Sequence, residues 1–278
     1  MSSVLSRFGL GDRWAYRFPL EDRWFGLSDD KRRDVLDTAD LLLSISGTLE
    51  HPAKYRKVRR LVYVDSDPVF TQVKLAAGVQ AFADRVDGHD VHFSFGEQFS
   101  DAVPVTGHQW RPTRQPTVLS EWHPVQMSRP AYTTVMSWTS YSPLTYNGVV
   151  YGQKDIEFKR FLELPARVTP IDLEMALSRT QHENWQTTDS ALAPELAELV
   201  ARHGWSPAEL AEHTEWRVVD PMEVCGDLDS YRRYIESSRG EWSIAKNGYV
   251  RGHPGWFSCR SACYLAAGRP VVALLQKP

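Results

Sequence analysis

The segment Lys246-Asn247-Gly248-Tyr249-Val250-Arg251-Gly252-His253-Pro254-Gly255-Trp256-Phe257-Ser258 gathers the richest chemistry in the chain. It runs from a short strand-like stretch, Trp242–Ala245, to a helix-like stretch that Ser258 can cap. Its glycines let the backbone approach a ligand closely. The free N–H groups at the start of the following helix carry partial positive charge and suit a diphosphate. Lys246, Arg251 and Arg260 add charge, Ser258 and Ser261 add hydroxyls, and Trp256 or Tyr249 can stack on a base. Asn247 and Gly255 complete this candidate ligand-binding set. The same pattern fits a Gly-rich surface connection with a solvated basic edge, and pattern alone leaves both readings open.

Three further groups could take part in proton transfer or metal binding. Asp65-Ser66-Asp67 is a DxD at the end of an apolar strand, a spacing that can hold a divalent cation. Asp67-Pro68 also reads as the cap and first residue of the next helix. His92 alternates with Val91 and Phe93, and Glu97 lies just past the same strand, so either could serve as a base. A strand histidine can equally be a hydrogen-bonded structural residue. Asp65, His92 and Glu97 are the catalytic candidates. No metal site is expected: His108, His123 and His253 lack a second ligand at a binding spacing, and Cys225, Cys259 and Cys263 form neither a CxxC nor a disulfide framework. No GxSxG, HExxH or phosphate-binding P-loop occurs.

The elements that must position these residues follow from hydrophobic periodicity. Asp29–Ala39 reads as a short helix, Leu41–Ile45 as a buried strand, Leu61–Val64 as a second, Phe70–Val86 as a helix weakened at Gly78, and Val91–Phe95 as a strand. Residues 100–150 are rich in Pro, Trp, Thr and Ser and read as a connection, with Trp138–Tyr151 either lining a cleft or packing. Beyond it come a strand at Ile171–Leu177, a helical face of Leu192, Leu196, Leu199 and Val200 closed by Gly204, and a capping box at Ser206-Pro207-Ala208-Glu209. A strand at Trp216–Val219, a helix through Leu228–Ile235, a strand at Trp242–Ala245, a helix from Ser258 to Ala267 and a strand at Val271–Leu275 follow. This alternation predicts a doubly wound α/β sheet whose ligands sit beyond the carboxyl ends of its strands.

Composition narrows the function classes. The 278 residues are 42% hydrophobic and 24% charged, with 32 Lys+Arg against 35 Asp+Glu and a net charge of −3. That balance gives no electrostatic pull toward nucleic acid or anionic lipid. No apolar run reaches the roughly 18 residues of a membrane span. Reduced thiols and the lack of an apolar leader predict a cytoplasmic protein.

The stretch SRGEWSIAKNGYVRGHPGWFSCRSACYLAAGRPVV resembles the C-terminal signature of bacterial glycosyltransferase-like proteins of the GT-B fold. ADLLLSISG, VYVDSDPVFTQ, HDVHFSFGE and YGQKDIEFKRFLELP extend the likeness over roughly residues 8–273. The resemblance implies two Rossmann-like lobes: an acceptor-side lobe over residues 1–150 and a nucleotide-sugar-binding lobe over 151–278. It implies transfer of a sugar, without a metal, from a nucleotide-diphosphate sugar as co-substrate to an unknown acceptor. A non-catalytic relative that binds a nucleotide, glycan or protein partner is the alternative. Two departures bear on this. The family continues at both ends, so both lobes are expected to be shortened, with exposed apolar surface at Val271–Leu275 or homo-oligomeric pairing. Many retaining members also carry a Glu where Cys263 stands, five residues before Gly268.

Overall fold

A computed structural model describes residues 2–18, 20–177, 198 and 201–273. The chain forms two compact units, Met1–Asp65 with Gln80–Phe93, and Ser66–Val79 with Ser94–Pro278. The division expected at residue 150 falls inside the second unit.

In the first unit a short helix α1 (Ser2–Arg7) precedes an antiparallel pair, β1 (Ala15–Phe18) and β2 (Arg23–Gly26). Ser28 caps α2 (Asp29–Thr38), its hydroxyl accepting the Lys31 N–H. Strands β3 (Leu41–Ile45) and β4 (Arg60–Asp65) pair in parallel, and β5 (Val91–Ser94) lies beyond β4. Asp90 fixes the entry to β5 by accepting from Leu61 N at 2.8 Å and pairing with Arg56 at 2.9 Å. The apolar run Leu41–Ile45 is a strand, but not a doubly buried one. As the outer strand of its sheet it leaves Leu41, Leu43 and Ile45 more than half exposed, while Ser44 points inward.

The helix expected over Phe70–Val86 is two helices. Gly78 adopts φ +71°, open to glycine at no steric cost, and separates α3 (Phe70–Ala76) from α4 (Gln80–Asp87). The first belongs to the second unit and the other to the first unit.

The second unit carries the larger sheet. After β6 (Trp110–Pro112) comes β7 (Arg129–Val135), followed by a hairpin of β8 (Leu144–Tyr146) and β9 (Val149–Tyr151). Asn147 and Gly148, both at positive φ, make the two-residue hairpin turn. Helices α5 (Lys154–Phe158) and α6 (Leu164–Val168) lead to β10 (Leu173–Ala176). The helix expected around Leu192–Val200 lies outside the described residues. Helix α7 (Pro207–His213) begins with the predicted capping box: Ser206 Oγ accepts from Glu209 N, and the Glu209 carboxylate accepts from Ser206 N. Then follow β11 (Arg217–Val219), α8 (Pro221–Cys225), α9 (Leu228–Ser237), β12 (Ser238–Ser243), α10 (Asn247–Gly252), α11 (Cys259–Ala266) and β13 (Val271–Ala273). Val272 in β13 is exposed.

The larger sheet runs β11-β10-β7-β12-β13, every pair parallel. Numbered by appearance its strands read 3-2-1-4-5, five strands of the six-stranded Rossmann order 3-2-1-4-5-6. The α/β class and the parallel, helix-flanked sheets expected from the sequence are therefore present. The order reverses between β7 and β12, so the crevice beyond their carboxyl ends is the natural ligand position.

Strand β7, the first and central one, was hidden in the segment read as a connection. Its Thr133 and Thr134 are buried, so the hydrophobic signal of a core strand is missing. Thr133 is satisfied instead by Ser238 Oγ at 2.7 Å and Tyr264 Oη at 2.6 Å. The core beside the sheet is aromatic: Trp138 meets Phe158 at 4.8 Å and Trp216 meets Trp242 at 4.7 Å between ring centroids. At the amino end, the buried Glu174 of β10 joins Arg129 at 2.7 Å, Arg217 at 3.1 Å and Tyr234 Oη at 2.9 Å.

Asp155, in the first turn of α5, is 1% exposed, and neither carboxylate oxygen has a partner among the described residues. Burial pushes its carboxyl up to about 7, against weaker opposition from the Ile156 and Asp155 N–H groups. The folded state therefore favours the protonated acid. Stability falls as pH rises from the ordinary carboxylate range through 7, and the full penalty applies above that. Asp155→Asn should gain up to about 4 kcal/mol over wild type near pH 8 and little near pH 4. Urea unfolding at a series of pH values measures this, and parallel profiles for the two proteins would contradict it.

Candidate functional site

Ser243 closes β12, and Lys246 stands three residues on, at the switch between β7 and β12. The segment expected as an open loop folds instead as α10. Its first N–H groups are taken up internally: Asn247 N donates to Gln153 O at 3.1 Å and Gly248 N to Gly152 O at 2.9 Å. Asn247 completes the clamp, accepting from Gly152 N at 3.1 Å and donating to Glu157 at 2.7 Å. Two of the predicted ligand-loop glycines serve packing. A Cβ on Gly248 would lie 2.5 Å from Phe70 Cζ, and one on Gly252 would lie 2.5 Å from Val69 Cγ2. Gly255, at φ +68°, passes so close to the 97–98 backbone that a Cβ would lie 2.8 Å from Gln98 N.

Lys246 Nζ bonds Asp67 at 3.0 and 3.2 Å and Tyr141 Oη at 3.1 Å. Its ammonium faces the rings of Tyr141, Phe70 and Tyr249 at 4.6, 5.0 and 5.5 Å, a cation held by both a carboxylate and π faces. The Tyr141 and Tyr249 hydroxyls also donate to Asp67. This corrects the capping reading of Asp67-Pro68. Helix α3 starts at Phe70 with Val69 as its N-cap, and Gln72 Oε1 accepts the Val69 N–H at 2.6 Å, while the Asp67 carboxylate bonds Lys246. Trp256 stacks on Tyr249, with centroids 4.4 Å apart.

Arg260 lies in the first turn of α11, where the helix dipole disfavours a cation and an anion is called for. That anion is internal. The guanidinium bonds Glu241, donates through Nη1 to Val135 O at 2.6 Å, and through Nη2 to Ser243 Oγ at 2.7 Å. Burial alone would lower its pKa, but Glu241, with Tyr264 and Tyr231, outweighs that and holds it above its ordinary value. Ser258 occupies the N-cap position of α11 with no side-chain capping bond, and Ser261 is buried. Cys263 packs beside Ile235, Tyr264 and Ala267, and burial pushes its thiol up to about 11.

Lys154 is the residue that periodicity and spacing missed. It is the first residue of α5, and the Gln153–Asn247 bond sets it beside Lys246. It is half-buried, and no ion pair or hydrogen bond engages it among the described residues. Burial, with Arg260 and Lys246 near it, pulls its ammonium down to about 7 against Glu241 and Cys259. A lysine in YGQKDIEF carries no spacing signal by itself. Its place beside Lys246 comes from the backbone bond between Asn247 N and Gln153 O.

The catalytic candidates divide between the units. Asp65 ends β4 in the first unit and is buried, and His92 there has its Nε2 3.0 Å from Val86 O. Glu97 belongs to the second unit, where Arg114 grips it through Nε and Nη2 at 2.5 and 2.6 Å. Glu97 is brought to the far end of the 246–258 segment: Gly96 bridges Trp256, and Gln98 N donates to Pro254 O at 3.2 Å.

Removing Arg260 would strand Glu241, which is fully buried, beside the ends of two strands. Arg260→Ala should cost about 3–5 kcal/mol of stability in denaturant titration. A cost near zero would show that the pair does not organise the sheet.

Among the described residues no helix is long and apolar enough to cross a membrane, and no three His, Cys, Asp or Glu side chains gather as a metal site. No protein-family model matches the chain, and no curated protein does. Among solved structures it is similar to one described as the crystal structure of the GtfA/B complex, at 14% identity and a TM-score of 0.33, over 96% of this chain. This chain spans about half of that one, 49%.

Proposed function

We propose that the second unit binds the diphosphate of a nucleotide-sugar at the β7/β12 switch point and that the protein is a glycosyltransferase-like protein of GT-B type. The observation that carries the reading is Lys154. Its ammonium is bonded to no carboxylate among the described residues and lies near two paired cations, Lys246 and Arg260, toward the crevice where a 3-2-1-4-5 sheet receives its ligand. Lys246, which opens the segment that resembles the family signature, stands beside Lys154. In the transfer, the bond from the sugar C1 to the diphosphate oxygen breaks and the acceptor oxygen bonds C1. The acceptor proton passes to a base, and the diphosphate leaves with added negative charge that Lys154 stabilises.

A second reading has its own observation. Lys246 and Arg260, two of the three cations that the sequence offers to the diphosphate, are paired internally with Asp67 and Glu241 respectively. That arrangement favours a binding protein derived from such an enzyme, with no transfer.

A thermal-shift panel of UDP-, GDP- and ADP-sugars tests the binding common to both. One donor at 100 times its Kd should stabilise by about 2.7 kcal/mol. Failure of every donor removes the nucleotide-sugar reading. Release of free nucleotide or transfer to an added acceptor separates enzyme from binder.

Lys154 makes the binding pH-dependent with a defined sign. Burial first, then Arg260 and Lys246, pull its ammonium down to about 7 against Glu241 and Cys259. The bound diphosphate needs the ammonium, so binding takes up a proton and affinity should fall as pH rises through 7. Lys154→Gln should weaken the donor about 10- to 150-fold below pH 7 and flatten the slope above it. Calorimetric titration at several pH values reads both effects, and equal slopes in wild type and variant would remove Lys154 from the site.

A further inference from the structure

We propose that a cleft of about 590 Å³ in the second unit, between residues 114–119 and α11, is a binding site for a neutral carbohydrate, with Glu97 and Arg114 holding its hydroxyls. Its size lies within the ~300–1,000 Å³ of small-molecule sites. The floor is apolar: Ala262, Leu265 and Ala266 form one face of α11, flanked by Phe257 and Leu119. Leu265 is 53% exposed and Leu119 70%, so this apolar surface faces open space among the described residues.

The rim is fixed in place. Gln115 Nε2 donates to Phe257 O at 2.9 Å, Gln98 N bonds Pro254 O, and Gly96 bridges Trp256. These bonds tie three separate segments around the opening before any ligand arrives, which lowers the ordering cost of binding.

The Glu97–Arg114 pair has spare capacity. The Arg114 side chain is 78% exposed and that of Glu97 32%, so the pair contributes little to stability. Arg114 uses Nε and Nη2 on Glu97, and Nη1 makes no bond among the described residues. The Glu97 oxygens keep lone pairs open to a hydroxyl donor.

Charge decides the class of ligand. The two side chains neutralise each other. A phosphate would be repelled by the carboxylate, and a purely apolar ligand would desolvate both groups without replacing their hydrogen bonds. A pyranose offers what the cleft lacks: a flat C–H face for Phe257 and Leu265, and a rim of hydroxyls that both donate and accept. The inference goes beyond the donor reading and does not depend on it.

Saturation-transfer NMR with methyl glucosides, galactosides, mannosides and N-acetylglucosamine at millimolar concentration is the test. At least one should bind, UDP should not displace it, and Glu97→Gln or Arg114→Ala should weaken it about 10-fold or more. Ala262→Trp, which fills the floor, should abolish binding while the thermal transition is retained. Binding by no hexoside overturns the proposal, as does a hexoside that binds wild type, Ala262→Trp and Glu97→Gln alike. Loss of hexoside binding with nucleotide-sugar binding intact would sink this inference alone, and the reverse result would sink only the donor reading.

Discussion

The ion pair between Glu241 and Arg260 holds together the part of the molecule on which the rest depends. Glu241 sits in β12 opposite Thr133 of β7, with no solvent exposure. Arg260 reaches it from α11 and at the same time bonds Val135 O at the end of β7 and Ser243 at the end of β12. One guanidinium therefore joins two strands and the helix that follows them, at the place where the strand order reverses. A buried pair of this kind need not stabilise more than apolar packing would. Breaking it is costly, because the surviving charge has no partner. Its effect is to fix the spacing of the crevice walls.

The same constraint explains the electrostatics around it. Three cations approach the carboxyl end of a parallel sheet, and two are compensated from within: Arg260 by Glu241 and Lys246 by Asp67. The third, Lys154, is held in position by the backbone bonds between residues 152–153 and 247–248, not by a counter-charge. The glycines of α10 matter here as packing residues. Without side chains at 248 and 252 the helix lies close against Val69 and Phe70, which keeps Lys246 within reach of Asp67. Structural glycines and ligand-loop glycines look alike in sequence, and here contact distance tells them apart.

The outline of the fold was legible because its signals are local. The Ser206 capping box, the helix from Ser258 to Gly268 and the apolar strands are written in residues a few positions apart. Strand β7 was not legible, because its buried residues include two threonines, and the partners of the Thr133 hydroxyl lie more than a hundred positions away. The same limit applied to the site. The chemistry of residues 246–261 could be listed, but which cations were already paired could not. Asp67 was visible as part of a DxD, and its partner lies 179 positions away. A DxD spacing describes what two carboxylates can do, and a lysine arriving from another element decides what one of them does.

The two ends of the larger sheet show how this difference can be read. At the amino end, Glu174 meets Arg129, Arg217 and Tyr234, and the buried carboxylate faces two cations. At the carboxyl end, Glu241 and Asp67 face three cations, Arg260, Lys246 and Lys154. The amino-end carboxylate is fully engaged, whereas at the carboxyl end Lys154 is bonded to no carboxylate among the described residues, and burial with the neighbouring cations lowers its pKa. Fold stability alone would be served better by a neutral or paired side chain at position 154, since a half-buried ammonium beside other cations is disfavoured by both desolvation and repulsion. A charge disfavoured in this way, beside the carboxyl ends of β7 and β12, is the observation on which the proposed anion site rests.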